Sequence, residues 1–125
     1  MRSRQLRQSN RQSMSLADKT CKTCTGGTKP INPAEYDSLL RQLSGWRIEE
    51  NNRLRRDIRT KNFQQSLKLA NTIGEVAERQ GHHPDLTVCW GRLSIDLWTH
   101  AINGLSDNDF ILAAKIDRLL VENSN

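Results

Sequence analysis

The feature that most constrains the fold of this chain is a stretch whose apolar residues recur at helical spacing. It lies between two pairs of segments in which apolar and polar residues alternate. Over 62–80, one helical face carries an apolar residue every three or four positions, namely Phe63, Leu67, Ala70, Ile73 and Ala77, with Leu69 and Val76 beside them. Apolar and polar residues alternate before this stripe, near 46–50 and 53–60, and after it, over 86–90 and 93–99. Because only a short turn separates the members of each pair, they are predicted to form two antiparallel hairpins.

Two further helices complete the predicted architecture. One is expected over 33–43, where Pro33 suits the first turn, and the other over 107–122, after the cap residue Ser106. A four-stranded sheet with one apolar face needs a cover, which three amphipathic helices can supply. The sequence therefore predicts an α+β domain in the order α-β-β-α-β-β-α, with an antiparallel sheet covered on one face. The hairpins must meet through a non-local pairing, and the pattern leaves the strand order open.

Alternation in the second hairpin assigns its side chains to the two faces of the sheet. Each strand of this hairpin changes face at every residue. The residues predicted to point toward the helices are Leu86, Val88, Trp90, Leu93, Ile95 and Leu97. The opposite, polar face is predicted to carry Asp96, Trp98 and His100.

Positive charge is concentrated at the N terminus. Residues 1–32 carry seven basic side chains and one acidic, whereas residues 33–125 carry 12 basic and 13 acidic. We therefore divide the chain into a flexible basic arm, 1–32, and a domain, 33–125. No nucleic-acid partner is expected, because the domain lacks a basic stripe of its own. Residues 1–13 are rich in Arg and Ser, and organellar targeting is the alternative to a disordered head without a function.

Three cysteines, Cys21, Cys24 and Cys89, indicate a reduced compartment. An odd number with one close pair does not fit a secreted disulfide framework. A structural zinc site needs four ligands, and Cys21 and Cys24 supply only two of them. We therefore interpret them as two ordinary thiols in a loop. No apolar run reaches the roughly 18 residues of a membrane span. These features predict a cytoplasmic protein with no membrane partner.

All histidines of the chain, His82, His83 and His100, lie within one short segment. Glu78 precedes His82 by one helical turn, so the two side chains would share a face if the helix extends that far. Pro84 disfavours helical backbone at His83, which points the adjacent imidazoles in different directions. Such a cluster can bind zinc or transfer protons near neutral pH. Consecutive histidines lack the usual spacing of helical metal pairs, which favours acid–base chemistry without a metal.

The histidine segment also resembles the signature of the pterin-4a-carbinolamine dehydratase family. The matching motifs are E-R-Q-G-H-H-P at 78–84, an aromatic residue at Trp90, T-H at 99–100 and G-L-S-x-x-D at 104–109. The resemblance covers roughly 33–122, and the C-x-x-C-x-G-G arm is similar to that of many microbial and plant members.

This resemblance implies a hydro-lyase that acts in tetrahydrobiopterin recycling. The implied reaction removes water from 4a-hydroxytetrahydropterin and gives quinonoid dihydropterin, with no metal and no cofactor. The implied catalytic residues are His82, His83 and His100, and the implied substrate-binding residues are Glu78, Thr99 and Asp109.

The resemblance also implies a division of roles. We expect His82 and His100 to act as the acid and the base, and His83 mainly to position the pterin. Glu78 is expected to orient His82 or to hydrogen-bond the pterin. Asp109 is expected to act behind the histidines, or else only to cap the last helix. Thr99 would offer its backbone to the pterin ring.

Two departures and one alternative accompany this expectation. Leu86 and Trp98 stand where many members of the family carry Trp and Ser, respectively, and Trp98 can alter the wall of the pocket. The family also includes non-catalytic dimerisation and assembly cofactors that bind a protein partner. An exposed apolar stripe on the 62–80 helix would indicate an oligomer interface, in a homodimer or homotetramer or with a foreign partner.

Overall fold

The computed structural model describes residues 15–23 and 25–122. Its helices and strands, in chain order, are α1 (Tyr36–Leu40), β1 (Arg47–Ile48), β2 (Leu54–Arg59), α2 (Phe63–Gln80), β3 (Asp85–Cys89), β4 (Arg92–Leu97) and α3 (Asp107–Glu122). This order confirms the predicted α+β arrangement of three helices and four strands. Short 3₁₀ turns lie at Leu16–Asp18, Pro33–Glu35 and His100–Ile102.

The four strands form one antiparallel sheet in the order β1-β2-β4-β3. Both predicted hairpins are present, and they meet where β2 pairs with β4, from Leu54 opposite Leu97 to Arg59 opposite Arg92. β1 and β3 are therefore the edge strands. The apolar residues of the two central strands that are fully buried are Leu54, Leu93, Ile95 and Leu97.

Three predicted core positions are wrong. Phe63 and Leu67 are 46% and 44% exposed, because the face of α2 that packs on the sheet runs through Ser66 and Ile73. Ser66 is buried, and its hydroxyl lies 3.3 Å from the carbonyl oxygen of Arg92 in β4. Trp90 is 71% exposed, because it lies in the turn between β3 and β4 rather than in a strand.

The first helix is shorter than predicted. The side chain of Asn32 accepts a hydrogen bond from the Ala34 N–H, but the segment starts as the 3₁₀ turn Pro33–Glu35, and α1 itself ends at Leu40.

Asp117 on α3 holds the segment that follows α1 against the core. Its carboxylate accepts from the Trp46 indole N–H at 2.7 Å and pairs with Arg56 at 2.6 Å.

The face of the sheet away from the helices carries a polar network. Arg55 pairs with Asp96 at 2.9 Å across the two central strands. Asp57 accepts hydrogen bonds from the Ser94 hydroxyl at 2.6 Å and from Arg47 at 3.0 Å. The hydrogen bond from Ser94 lowers the pKa of Asp57 below its ordinary value, and the Arg47 guanidinium lowers it further by a smaller amount.

The described part of the N-terminal arm packs against the domain. Leu16 and Cys21 are buried, and the Ile31 N–H donates to the Leu105 carbonyl at 2.9 Å. Residues 1–14 and Cys24 lie outside the described residues, so the arm boundary, the basic head and the cysteine pair stay predictions. None of the helices in the described part of the chain is long and apolar enough to cross a membrane.

Candidate active site

A fully buried carboxylate, Asp109, connects the segments that carry the histidines. It is the third residue of α3, and its Oδ2 accepts hydrogen bonds from the Ser106 N–H at 2.9 Å and the Thr99 hydroxyl at 2.8 Å. Its Oδ1 lies 2.6 Å from Nε2 of His82. The contact with Ser106 is the reach-back half of a capping box. Asp109 is therefore both a helix cap and the partner of a histidine, which unites the two roles expected for it.

His82 owes its position to the way α2 ends. Gly81 adopts the left-handed conformation with φ of 66°. The N–H groups of Gly81 and His82 donate back to the carbonyls of Glu78 and Ala77, both at 3.3 Å. This is a Schellman arrangement, which stops the helix at Gln80, two residues before His82. The imidazole therefore turns away from the helix axis and is buried against α3.

The contact with Asp109 assigns different roles to the two ring nitrogens of His82. An ionised carboxylate only accepts hydrogen bonds, so we infer that Nε2 carries the hydrogen. Nδ1 then holds a lone pair, and it forms no hydrogen bond within the described residues. No buried side-chain nitrogen or oxygen atom there lacks a partner, so Nδ1 reaches solvent. A carboxylate behind one nitrogen and solvent at the other is the arrangement of an oriented proton acceptor.

His83 pairs with Glu78 at the surface. Its Nε2 lies 2.5 Å from Oε2 of Glu78, and both side chains are mostly exposed. Glu78 therefore contacts His83 and not His82, which differs from the helical spacing expected above. The cause is again the left-handed residue Gly81, which carries His82 off the face that Glu78 occupies.

His100 follows the last strand and lies against an aromatic ring. Its imidazole stacks on the Trp98 indole, with 3.8 Å between ring centroids and 17° between planes. The Arg53 guanidinium also lies over Trp98, at 3.5 Å from the ring centroid. The Trp98 indole N–H donates to Asp85 at 3.0 Å, in the segment that follows the paired histidines. Trp98 thus links His100 to that segment.

Thr99 is buried between His100 and the carboxylate. Its N–H donates to the Gly104 carbonyl at 2.7 Å, and its own carbonyl accepts from the N–H groups of Ile102 and Gly104. Its hydroxyl donates to Asp109, so the nearby Ser106 hydroxyl, at 2.6 Å, supplies the other hydrogen. In this structure both backbone groups of Thr99 are engaged in the turn, and its hydroxyl supports the carboxylate.

An open groove of ≈ 710 Å³ runs between α2 and the start of β3. Its lining includes Gly74, Glu78, His83, Pro84 and Leu86, but neither His82 nor His100. The gathering of all three imidazoles around a single slot therefore stays a prediction. Hydrogen bonds do bring their backbone segments together, because His82 and the residue before His100 both contact Asp109.

Among residues 15–23 and 25–122, no group of three or more His, Cys, Asp or Glu side chains is arranged to hold a metal ion. What the described side chains can do is exchange and orient protons. A hydrogen-bonded carboxylate fixes one imidazole, a second imidazole faces a groove, and a third is held by an indole ring.

Comparison with known proteins decides the family. The family described as pterin 4 alpha carbinolamine dehydratase matches residues 29–119. The chain belongs to this family. Similar proteins provisionally named pterin-4-alpha-carbinolamine dehydratase occur in Rubrobacter xylanophilus, with 47% identity over 83% of this chain and 97% of the relative, and in Rickettsia bellii, with 45% identity over 84% and 94%.

A solved structure supports the dehydratase-family fold. The crystal structure titled transcriptional coactivator/pterin dehydratase from Brucella melitensis has a TM-score of 0.67 and 25% identity. It covers 73% of this chain and 98% of that protein. The similarity confirms the α+β architecture predicted for a dehydratase-family chain.

Three residues of this dehydratase-family site were not expected from the sequence as site residues. Ser106 was assigned only as a helix cap, although the S-x-x-D spacing to Asp109 is the signal of a reciprocal contact. Arg53 and Asp85 both contact Trp98, Arg53 over its ring and Asp85 as acceptor of its indole N–H. No local pattern indicates this, because Arg53 and Asp85 come from different hairpins.

Proposed function

We propose that this protein is a hydro-lyase that dehydrates 4a-hydroxytetrahydropterin to quinonoid dihydropterin, in tetrahydrobiopterin recycling in the cytoplasm. The reaction removes the N5 hydrogen as a proton and expels the 4a hydroxyl as water after a proton reaches it. A double bond forms between N5 and C4a, so the net loss is one molecule of water. The step needs one base and one acid beside a flat polar ring, which imidazoles supply near neutral pH.

The contact between His82 and Asp109 is the observation that carries this proposal. It supports a role for His82 Nδ1 as the base that takes the N5 proton, because the carboxylate holds the ring in one tautomer and favours the imidazolium that forms. His100 is the proposed acid for the leaving hydroxyl. His83, paired with Glu78 in the groove, is proposed to contact the pterin and position it.

The proposal is tested by supplying 4a-hydroxytetrahydropterin and following its dehydration by absorbance. His82→Gln keeps a polar side chain that can hydrogen-bond Asp109 but cannot exchange protons, and His82→Ala removes the ring. We expect both variants to lose about 10²-fold or more in kcat, with unchanged far-ultraviolet circular dichroism. Glu35→Gln, exposed in the Pro33–Glu35 turn and outside the groove, is the control and should react as the wild type does.

Two results would count against the proposal. Variants of His82 that react as fast as the wild type would remove this residue from the mechanism. A wild-type protein no faster than buffer would refute the enzyme assignment as a whole and favour a non-catalytic binding role.

A non-catalytic dimerisation or assembly cofactor that binds a protein partner is the second candidate. The Brucella melitensis protein is titled a coactivator as well as a dehydratase, and Phe63 and Leu67 of this chain form an exposed apolar pair on α2. We propose that this pair belongs to an interface of a homodimer or homotetramer. Sedimentation velocity of Phe63→Ser and Leu67→Ser tests it. A smaller species supports the interface, and an unchanged mass opposes it.

A further inference from the structure

The end of α2 and the start of α3 both hold the N-terminal arm. Gln80, the last residue of α2, accepts a hydrogen bond from the Cys21 N–H at 3.0 Å. Asn108, the second residue of α3, accepts from the Lys22 N–H at 2.9 Å and donates to the Lys22 carbonyl at 2.6 Å. Two consecutive backbone residues of the arm are thereby fastened to two different helices.

Further contacts extend this attachment along α3. Leu16 is buried in the core. The Lys115 ammonium donates to the Ala17 carbonyl at 2.9 Å, and Arg118 pairs with Asp18 at 3.0 Å. The Arg118 pair is about half exposed on both sides, and such pairs contribute little stability. The attachment therefore depends mainly on the buried side chain and on the hydrogen bonds to the arm backbone.

The two helix ends that the arm contacts are the ones beside His82 and Asp109. Gln80 lies two residues before His82, and Asn108 lies directly before Asp109. A hydrogen bond weakens steeply when its distance or angle departs from the optimum. A change in the separation of the two helix ends would therefore weaken the His82–Asp109 contact.

We propose that residues 15–23 are a brace that holds the end of α2 against the start of α3 and so keeps His82 aligned with Asp109. Gln80 and Asn108 are positioning residues, since they contact the arm backbone and act through their neighbours. The catalytic consequence rests on the proposed dehydratase function, whereas the effect on the His82–Asp109 hydrogen bond does not.

The test uses the full chain with Gln80→Met, which keeps side-chain length and removes the acceptor, and with Asn108→Ala. Arg118→Met is the matched control, because it removes a contact of the same arm far from the histidines. The first readout is the proton NMR resonance of the His82 Nε2–H, assigned by its loss in His82→Gln. The second is the separate effect on kcat and KM for 4a-hydroxytetrahydropterin.

We expect the His82 resonance to shift or broaden in Gln80→Met and Asn108→Ala and to stay unchanged in Arg118→Met. We expect kcat to fall about tenfold and KM to change less, because a misplacement of up to 1 Å costs as much as ~10²-fold in rate. An unchanged resonance in either folded variant would overturn the brace. If Asn108→Ala does not fold, Gln80→Met alone decides the question.

The two proposals fail separately. A wild type without dehydratase activity, together with a shifted resonance in Gln80→Met, would keep the brace and reject the enzyme. An active wild type with an unchanged resonance and unchanged kcat in Gln80→Met would keep the enzyme and reject the brace.

Discussion

Removal of the buried carboxylate at position 109 is the perturbation with the largest expected effect. Asp109 receives three hydrogen bonds, from His82, Thr99 and Ser106, and it is fully buried. In Asp109→Ala these three donors lose their acceptor in a site too closed for bulk water. A buried donor without a partner costs about 1–3 kcal/mol. The loss in free energy of unfolding should therefore be about 3 kcal/mol or more, out of a total of roughly 5–15 kcal/mol for a domain.

Asp109→Asn should separate stability from catalysis. The amide oxygen can keep the contacts with Thr99 and Ser106 while the NH₂ group faces His82. Charge-assisted hydrogen bonds become neutral ones, which should cost about 1–2 kcal/mol. Nε2 of His82 must then accept rather than donate, so the hydrogen moves to Nδ1 and the proposed base is lost. We expect kcat to fall by about 10²-fold or more in a folded protein.

The assay is urea unfolding, extrapolated to zero denaturant at one fixed protein concentration, together with the dehydration rate. Asp107→Asn is the matched control, because it removes an exposed carboxylate from the same helical turn. It should cost no more than about 1 kcal/mol. If Asp109→Ala were as stable as Asp107→Asn, or if Asp109→Asn kept the wild-type rate, the reasoning about this carboxylate would be refuted.

Two further predictions concern the polar face of the sheet. Trp98→Ser removes the ring that His100 and Arg53 contact, so stability in urea should fall by about 1 kcal/mol and kcat should fall with it; an unchanged rate would mean that the stack does not hold His100 for the reaction. Asp57, whose pKa is lowered by the Ser94 hydroxyl, contributes stability that is complete above the unfolded-state pKa of about 3.9 and is lost as pH falls through the lower folded-state pKa. Asp57→Asn should therefore flatten the acid limb of a plot of melting temperature against pH, and the idea fails if that limb keeps its slope.

Local patterns predicted the elements of this fold, but not how the elements face one another. Alternation and turn residues located β2, β3, β4 and α2 to within a few residues, because period and capping are local properties. The strand order was open, because the pairing of β2 with β4 joins residues about 40 positions apart, such as Leu54 and Leu97. The rotation of α2 was predicted wrongly for Phe63 and Leu67. Their apolar character indicates burial somewhere, and only the packing of Ser66 on β4 decides which face meets the sheet.

The candidate site shows the same division between local and non-local information. The clustering of the histidines and the resemblance together indicated the histidines, and the resemblance supplied Asp109, but the helical spacing rule assigned Glu78 to His82. Gly81 was identified as the end of α2, yet its effect on the direction of the next side chain depends on a left-handed φ and on the position of Asp109 on α3. The partner of His82 is therefore 27 positions away in the chain and outside the reach of any local rule.

The use of one carboxylate for two purposes limits how this site can change. Asp109 closes the first turn of α3 through Ser106 and orients His82 through its other oxygen, so a substitution that alters the second contact also weakens the first. A substitution of Asp109 therefore affects both the orientation of His82 and the cap of the helix that supplies much of the buried core. This coupling favours a rigid arrangement of His82. In the proposed reaction, it leaves adaptation to different pterins to less constrained positions, such as the exposed His83 in the groove. Variation of substrate range should therefore be sought at His83, which is mostly exposed, and not at Asp109.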